Sequence, residues 1–475
     1  MGDKTFFCAF AMVKYSYIQI GKKRLNEKRR KLGTAPLGRL MLSLALPTVL
    51  AQLINVLYNI VDRIYIGHMQ GDGNLALTGV GVTLPIITLI AAFSAFAGAG
   101  GAPLAAIELG KKDERKASLI MGNSAWLLVF FSIVLTIGFL IFKIPILHAF
   151  GASSKTITYA NDYITIYLLG TIFVQLALGL NAFISGQGAA KAAMLSVLIG
   201  AVINIVLDPI FIFALHLGVR GAALATVISQ FVSAVWVVSF LKSKRSVLYL
   251  KLVRPDKSLI LKIAALGIAP FVMQSTESLV TITFNTGLQR YGGDLYVGSM
   301  SILMSIMQLI VIPVNGITQG VQPIVSYNYG AGNRLRVKET VIRLVSVCLL
   351  GTLILAGVAI FCPGIYASMF TNDAELVALT CRIMPIFFLG IAIFGIQAAC
   401  QSTFLALGQA KVSLFIATLR KIILLIPLAL ILPKFSGVKG IYIAEPVSDV
   451  ISVIVTSVLC VITLKRIFSE MEDKS

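Results

Sequence analysis

The chain of 475 residues is 57% hydrophobic and 13% charged, with a mean hydropathy of +0.91, whereas soluble domains carry roughly 25% charge. At about 20 apolar residues per bilayer crossing, this length supplies roughly a dozen crossings, which excludes an ordinary soluble globule and a large soluble catalytic domain. Forty Lys and Arg against twenty Asp and Glu give a formal charge of +20, which in a soluble protein would point to nucleic acid; here the placement of the charges points to a membrane instead.

Residues 1–36 hold an apolar run from Phe6 to Val13, then a basic stretch from Lys22 to Lys31. A signal peptide has the opposite order and a cleavage site, and Phe6 stands where myristoylation needs Ser or Thr. The stretch reads as a basic cytoplasmic tail that can lie on the membrane surface. Twelve apolar segments follow, at 40–62, 77–102, 118–142, 160–184, 190–215, 219–241, 259–287, 295–325, 341–362, 379–405, 412–432 and 439–464. With the N-terminus inside, thirty of the forty basic residues fall in cytoplasmic segments and six (Lys143, Lys155, Arg220, Arg290, Lys434, Lys439) outside. Arg63, Arg382, Arg420 and Lys421 lie within the segments or at their ends, three of them near ends. The positive-inside rule then places both termini in the cytoplasm, with basic loops against an anionic inner leaflet. The six cysteines, Cys8, Cys348, Cys362, Cys381, Cys400 and Cys460, have no paired spacing and read as helix filler.

The chain repeats itself at an offset near 220. Pro103 and Gly110 correspond to Pro323 and Gly330, Gly188 and Lys191 to Gly408 and Lys411, Gly218 through Gly221 to Gly437 through Gly440, and Leu46-Pro47 to Ala269-Pro270. Each unit holds six helices, so both copies enter the membrane from the same side and form two lobes related by an axis along its normal. The expected fold is an all-α polytopic membrane protein of twelve transmembrane helices in two pseudo-symmetric six-helix lobes. Its divisions are the tail 1–36, an N-terminal lobe 37–241, a cytoplasmic linker 242–258, a C-terminal lobe 259–466 and a cytoplasmic tail 467–475, with a binding cavity between the lobes.

No GxxxxGK[ST] or HExxH sequence is present, and His68, His148 and His216 do not build a metalloenzyme centre. A TVGYG-type filter and an Arg-rich voltage sensor are also missing. Secondary transport is the expected mechanism, without a cofactor. Attention then falls on acids inside apolar segments, each of which costs about 2.5 to 3.5 kcal/mol at a helix centre unless offset. Seven qualify: Asp62, Glu108, Asp162, Asp208, Glu277, Glu445 and Asp449. Glu108 is expected to pair with Lys111 and Lys112, Asp162 to cap helix four, and Asp449 to share a helix face with Glu445.

Asp62 in helix one and Asp208 in helix five reach similar depth in the outer half. Asn204 lies four residues before Asp208 on the same face, Pro209 leaves the carbonyl of Ile205 without its donor, and Thr226 of helix six comes to the same level. Two carboxylates, an amide, a hydroxyl and a freed carbonyl suit a hard monovalent cation, or a carboxylate pair that shares one proton. The alternative is structural: Asp62 pairs with Arg63, and Asp208 caps a kink. The repeat favours function, because the counterparts of Asp62 and Asp208 are Asn285 and residues 426–428, neither acidic, while Thr226 maps onto Glu445.

At these residues the chain resembles the multidrug and toxic compound extrusion (MATE) family, over residues 37–466. Leu46 to Gly67 (LPTVLAQLINVLYNIVDRIYIG) looks like the family's first helix, Asn204 to Phe213 (NIVLDPIFIF) like its fifth, and Gln322 to Asn333 (QPIVSYNYGAGN) like the end of its eighth. The resemblance implies a polyspecific exporter of organic cations in the prokaryotic cytoplasmic (inner) membrane, driven by Na+ or H+ through alternating access around a V-shaped cavity. It also implies a coupling-cation site at Asp62, Asn204, Asp208 and Thr226, a metal site only if Na+ couples. A second branch of the family uses acids in helices seven and ten; Glu277 is near the first, and Thr380 to Leu405 has no acid.

Met273, Gln274, Glu277, Gln308, Gln322, Gln397 and Gln401 are the candidates for the substrate cavity on the second-lobe side. Gly98, Gly100 and Gly101 are read as allowing close helix packing. The expected partners are small organic cations, the coupling cation and the bilayer, with the chain a monomer and no nucleic acid. A lipid-linked oligosaccharide flippase of related architecture is the rival, but would need cationic residues facing the cavity. An enzyme is not expected, since loops such as Gly67 to Ala76 and Cys362 to Asp373 are too short to hold its site.

Overall fold

The computed structural model describes residues 31–69, 73–251 and 253–472, which are almost wholly helical and contain no strand. The expected surface tail over residues 1–30 lies outside the described residues. Eleven helices are long and apolar enough to cross a bilayer, and one bent pair makes a twelfth span. The spans are α1 (Leu37–Gly67), α2 (Gly73–Gly110), α3 (Glu114–Ala149), α4 (Ile157–Leu169 with Thr171–Gly186), α5 (Ala190–Ala214), α6 (Gly218–Lys242), α7 (Lys257–Tyr291), α8 (Asp294–Gly330), α9 (Arg334–Phe361), α10 (Ala374–Ala406), α11 (Ala410–Ser436) and α12 (Val438–Glu472). They form two six-helix lobes, α1–α6 and α7–α12.

Local chemistry sets where the helices begin and turn. The side chains of Asp113, Asp256, Asn333 and Asp373 accept hydrogen bonds from backbone N–H groups in the first turns of α3, α7, α9 and α10, which satisfies donors that a helix start leaves free. Gly188 and Gly408, at matched places in the repeat, both take left-handed backbone at the turns into α5 and α11 (φ +82° and +69°). α4 is broken by 58° at Gly170, a bend the twelve-segment reading does not contain; a Cβ there would meet Val227 of α6 at 2.5 Å. Pro209 does not end α5. The chain widens into a π-helical turn over Ile210–Ala214, the register change expected where a missing donor disturbs the ladder.

Three apolar clusters show how the lobes meet. One lies within the first lobe (Ile86, Ile90, Leu147, Tyr163, Leu168) and one within the second (Phe284, Leu303, Phe387, Phe388, Ile391). The third draws on both lobes (Leu44, Leu109, Phe183, Ile263, Val321, Ile324), so the lobes share a core at one end and have separate cores at the other. The shared end carries both described termini: Leu32 accepts hydrogen bonds from Asn328 and Arg336 at the α8–α9 turn, and Arg334 in that turn pairs with Glu472.

Small residues make the shared end possible. A Cβ at Gly110 would strike the backbone of Tyr327 and one at Gly330 that of Ile107, so these two repeat-related glycines cross each other between the lobes. A Cβ at Gly100 would come within 2.9 Å of Gly267 in α7, and one at Gly98 within 2.6 Å of Gly179 in α4. Thr48 Oγ1 donates to the Gly316 carbonyl at 2.6 Å, tying α1 to α8. The segment between α6 and α7 is no loose tether. Val247 and Leu248 donate to Gln187 Oε1, and Asp256 to Asn123 Oδ1, fastening it to the first lobe.

Candidate functional site

In the first lobe the sequence-selected acids come together. Asn204 and Asp208 are buried on one face of α5, and Asn204 Nδ2 donates to Asp208 Oδ1 at 3.2 Å. Asp62 of α1 lies beside Asp208, with its carboxyl in reach of a shared hydrogen bond. Asp62 Oδ1, Asn204 Oδ1 and Asp208 Oδ2 are all buried and have no hydrogen-bond partner in the protein. Arg63 is exposed and does not satisfy Asp62 Oδ1. Tyr163 of α4 lies within electrostatic range of Asp62 and close to Thr226 of α6.

Tyr163 and Tyr167, four apart on α4 and both buried, are stacked with ring centroids 6.2 Å apart. Sequence reasoning passed over them; the signal was a tyrosine pair at i, i+4 in a span of the acid-bearing lobe. Two neighbouring carboxylates in a low-dielectric site repel unless a proton or a cation sits between them. The donors here are all oxygens, which suits a hard cation. Among the described residues no group of three or more His, Cys, Asp or Glu side chains could hold a metal ion.

The second lobe has a different polar centre, built on α11. Arg420 Nε donates to Asp449 Oδ1 at 2.6 Å and its Nη2 to Glu445 Oε1 at 3.0 Å. The guanidinium lies 4.6 Å from the ring centre of Phe394. Lys421 pairs with Glu277 and donates to the Met273 carbonyl at 2.9 Å. Arg420 and Lys421 thus sit about midway along Ala410–Ser436 in a π-helical stretch, Leu419–Leu425, which corrects the expectation that most of the in-span cations lie near helix ends. Two further expectations change. Asp162 is five residues inside its helix and pairs with Arg220 through both oxygens (3.0 and 3.2 Å) instead of capping, and Glu108 pairs with Lys111 and Lys116 instead of Lys112.

The family model MatE matches residues 47–210 and 270–431, the same model twice at an offset close to that of the internal repeat. The chain belongs to the MatE family. Curated relatives include the multidrug export protein MepA of Staphylococcus haemolyticus, 28% identical over 84% of this chain and 88% of the relative. That of Staphylococcus aureus strain MSSA476 is 26% identical over 93% and 95%. Among solved structures, a MATE in the bent conformation matches with a TM-score of 0.87 at 22% identity, covering 94% of this chain and 99% of the other. The outward-facing conformation of a multidrug resistance MATE family transporter matches with a TM-score of 0.84, also at 22% identity, over 92% and 98%. Members of this family are transporters, and the chain is not an enzyme.

In this MatE protein the remaining candidates separate into three groups. Gln274 and Glu277 of α7 and Gln308 of α8 are exposed. They lie on polar stripes at helical spacing, Gln274, Glu277, Thr281 and Asn285 on α7 and Ser301, Ser305, Gln308, Asn315 and Gln319 on α8, matched by Gln52, Asn55 and Asn59 on α1. Polar stripes on spanning helices face water or protein rather than lipid, and Gln52 Nε2 donates to Gln319 Oε1 at 3.1 Å where α1 meets α8. Met273 and Gln322 are half-buried. Gln397 and Gln401 are buried, and Gln401 is held by Ser413 inside the second lobe, so these two are not brought to the stripes.

Proposed function

We propose that the chain exports organic, mostly cationic compounds across the prokaryotic cytoplasmic membrane in exchange for Na+ or H+. The observation that carries this reading is the set of three buried, unpartnered oxygens on Asp62, Asn204 and Asp208, inside a lobe that shares its core with the other lobe at one end only. Multidrug export is what the names of the MepA relatives state of those proteins. The positive-inside distribution supports cytoplasmic termini, which makes the shared end the cytoplasmic end and the polar stripes the walls of an outward-opening cavity. The chain acts as a monomer, with the divisions of tail, lobes and linker read from its repeat.

α1 is the element that joins site and seam. Asp62 lies fourteen residues beyond Thr48, about 21 Å along the helix, and Thr48 holds Gly316 of the opposite lobe. A cation that draws Asp62 toward Asp208 from outside pulls on the same helix that latches the lobes. Substrate leaves outward, and release of the cation inward resets the latch. Each charge moved down the membrane potential supplies about 2.3 kcal/mol per 100 mV. The flippase alternative is less favoured, because Arg420 and Lys421 are engaged by carboxylates and leave few cations for a pyrophosphate.

The test is efflux of a fluorescent organic cation from energised vesicles. Asp208→Asn, inserted at normal levels, is expected to lose efflux at least tenfold, and replacing Na+ by K+ at fixed pH identifies the coupling ion. Unchanged efflux in Asp208→Asn removes the site.

A further inference from the structure

Glu277 and Lys421 carry an inference that rests on that export reading and deepens it. Glu277 is the one carboxylate among the stripe residues named above, with 58% of its side chain accessible, whereas Lys421, which holds it, is 8% accessible. Behind Lys421 stand Glu445 and Asp449, 2% and 0% exposed. Arg420 satisfies one oxygen of each, and Glu445 Oε2 and Asp449 Oδ2 are left buried without a partner. Lys421 lies within electrostatic range of Glu445 as well as Glu277. The cluster therefore holds three carboxylates and two cations, and one further monovalent cation balances it.

We propose that Lys421 is a tethered counter-cation: it occupies Glu277 in the substrate-free protein and yields that carboxylate to a monovalent organic cation, swinging back to pair with Glu445 Oε2. An arginine fixed by two carboxylates and stacked on Phe394 is a poor mover, whereas an ammonium on a flexible four-carbon stem is a good one. The Met273 carbonyl, which Lys421 now holds at 2.9 Å, would be released by the same swing. Among the described residues no cation is ion-paired with Asp62 or Asp208, Arg63 being exposed and acting on Asp62 without a salt bridge, so the device belongs to substrate entry rather than to ion coupling.

The test is equilibrium binding of tetraphenylphosphonium to the purified full chain. Lys421→Met removes the internal competitor and is expected to bind about tenfold tighter than the unaltered protein; Lys421→Arg keeps a competitor and gains nothing. Glu277→Gln loses binding, and Lys421→Met combined with Glu277→Gln shows no gain. Lys421→Gln is the second variant, closer in polarity, should Lys421→Met fail to fold. A folded Lys421→Met or Lys421→Gln protein that binds the cation no more tightly overturns the proposal, as does a gain that survives in the double variant. Vesicle efflux through Asp208 decides separately whether the chain is an exporter at all.

Discussion

Asp208 divides its carboxylate between one oxygen that accepts from Asn204 and one buried oxygen that accepts from nothing in the protein, and Asp62 beside it has a buried orphan of its own. Groups kept in that condition are high in energy unless an ion or proton completes them. Arg420 is the contrast, since its carboxylate partners offset its burial. Removing it alone, as in Arg420→Met, leaves Glu445 and Asp449 uncompensated and is expected to destabilise the protein by about 3 to 5 kcal/mol. Thermal unfolding of the purified protein measures this. The triple variant Arg420→Met, Glu445→Gln, Asp449→Asn should recover most of the loss, and a triple variant as unstable as the single one would mean that the cluster is held by something other than charge. At this scale the sequence was legible where spacing and depth coincide, as for Asn204 and Asp208. It was less so where partners come from distant helices: nothing in the order of residues says that Arg220 reaches Asp162, or that Lys421 reaches Glu277 144 positions away.

At the scale of elements, glycines and one strap govern how the lobes close. Gly110 and Gly330 cross at the shared end, and Gly316 and Gly320 let α8 lie against Val49 and Ala45 of α1. Leu32, just before α1, is buried and touches both lobes: its carbonyl accepts from Asn328 and Arg336, and a Cβ on Gly188 would come within 3.2 Å of its side chain. Leu32 is thus packed between the lobes, whereas Lys31, Thr34 and Pro36 beside it are exposed. Gly330→Val is expected to pry the shared end apart. Spin labels placed across that end on the α2–α3 and α8–α9 turns should show a longer distance population than in the unaltered protein; an unchanged distribution would mean that the seam is not held by backbone approach. The paired glycines were visible in sequence as repeat anchors, because a close crossing tolerates no side chain in either copy. The bend at Gly170 was not, since Gly170 alone does not reveal that Val227 packs over it.

For the whole molecule, duplication supplies the frame and divergence supplies the work. Both halves keep the turn glycines and the π-helical interruption of the fifth helix of each lobe. The first half places buried, unpaired oxygens of Asp62, Asn204 and Asp208 near that interruption, and the second an ion-paired cluster of three carboxylates and two cations. Twelve spans, their pairing into lobes and the first-lobe acids were all readable from hydropathy, repeat offset and the cost of burying charge. Which end is shut was not, because that depends on a core drawn from both lobes, a property of packing rather than of any one segment. The most direct measurement is ion movement itself in proteoliposomes loaded with an organic cation, following Na+ by radiotracer and H+ by a pH-sensitive dye during export. Counter-movement of one of these ions is expected with the unaltered protein and should vanish in both Asp62→Asn and Asp208→Asn while the organic cation still binds. Counter-movement that persists in either variant, or export that proceeds with neither gradient, would contradict a cycle driven through the first lobe.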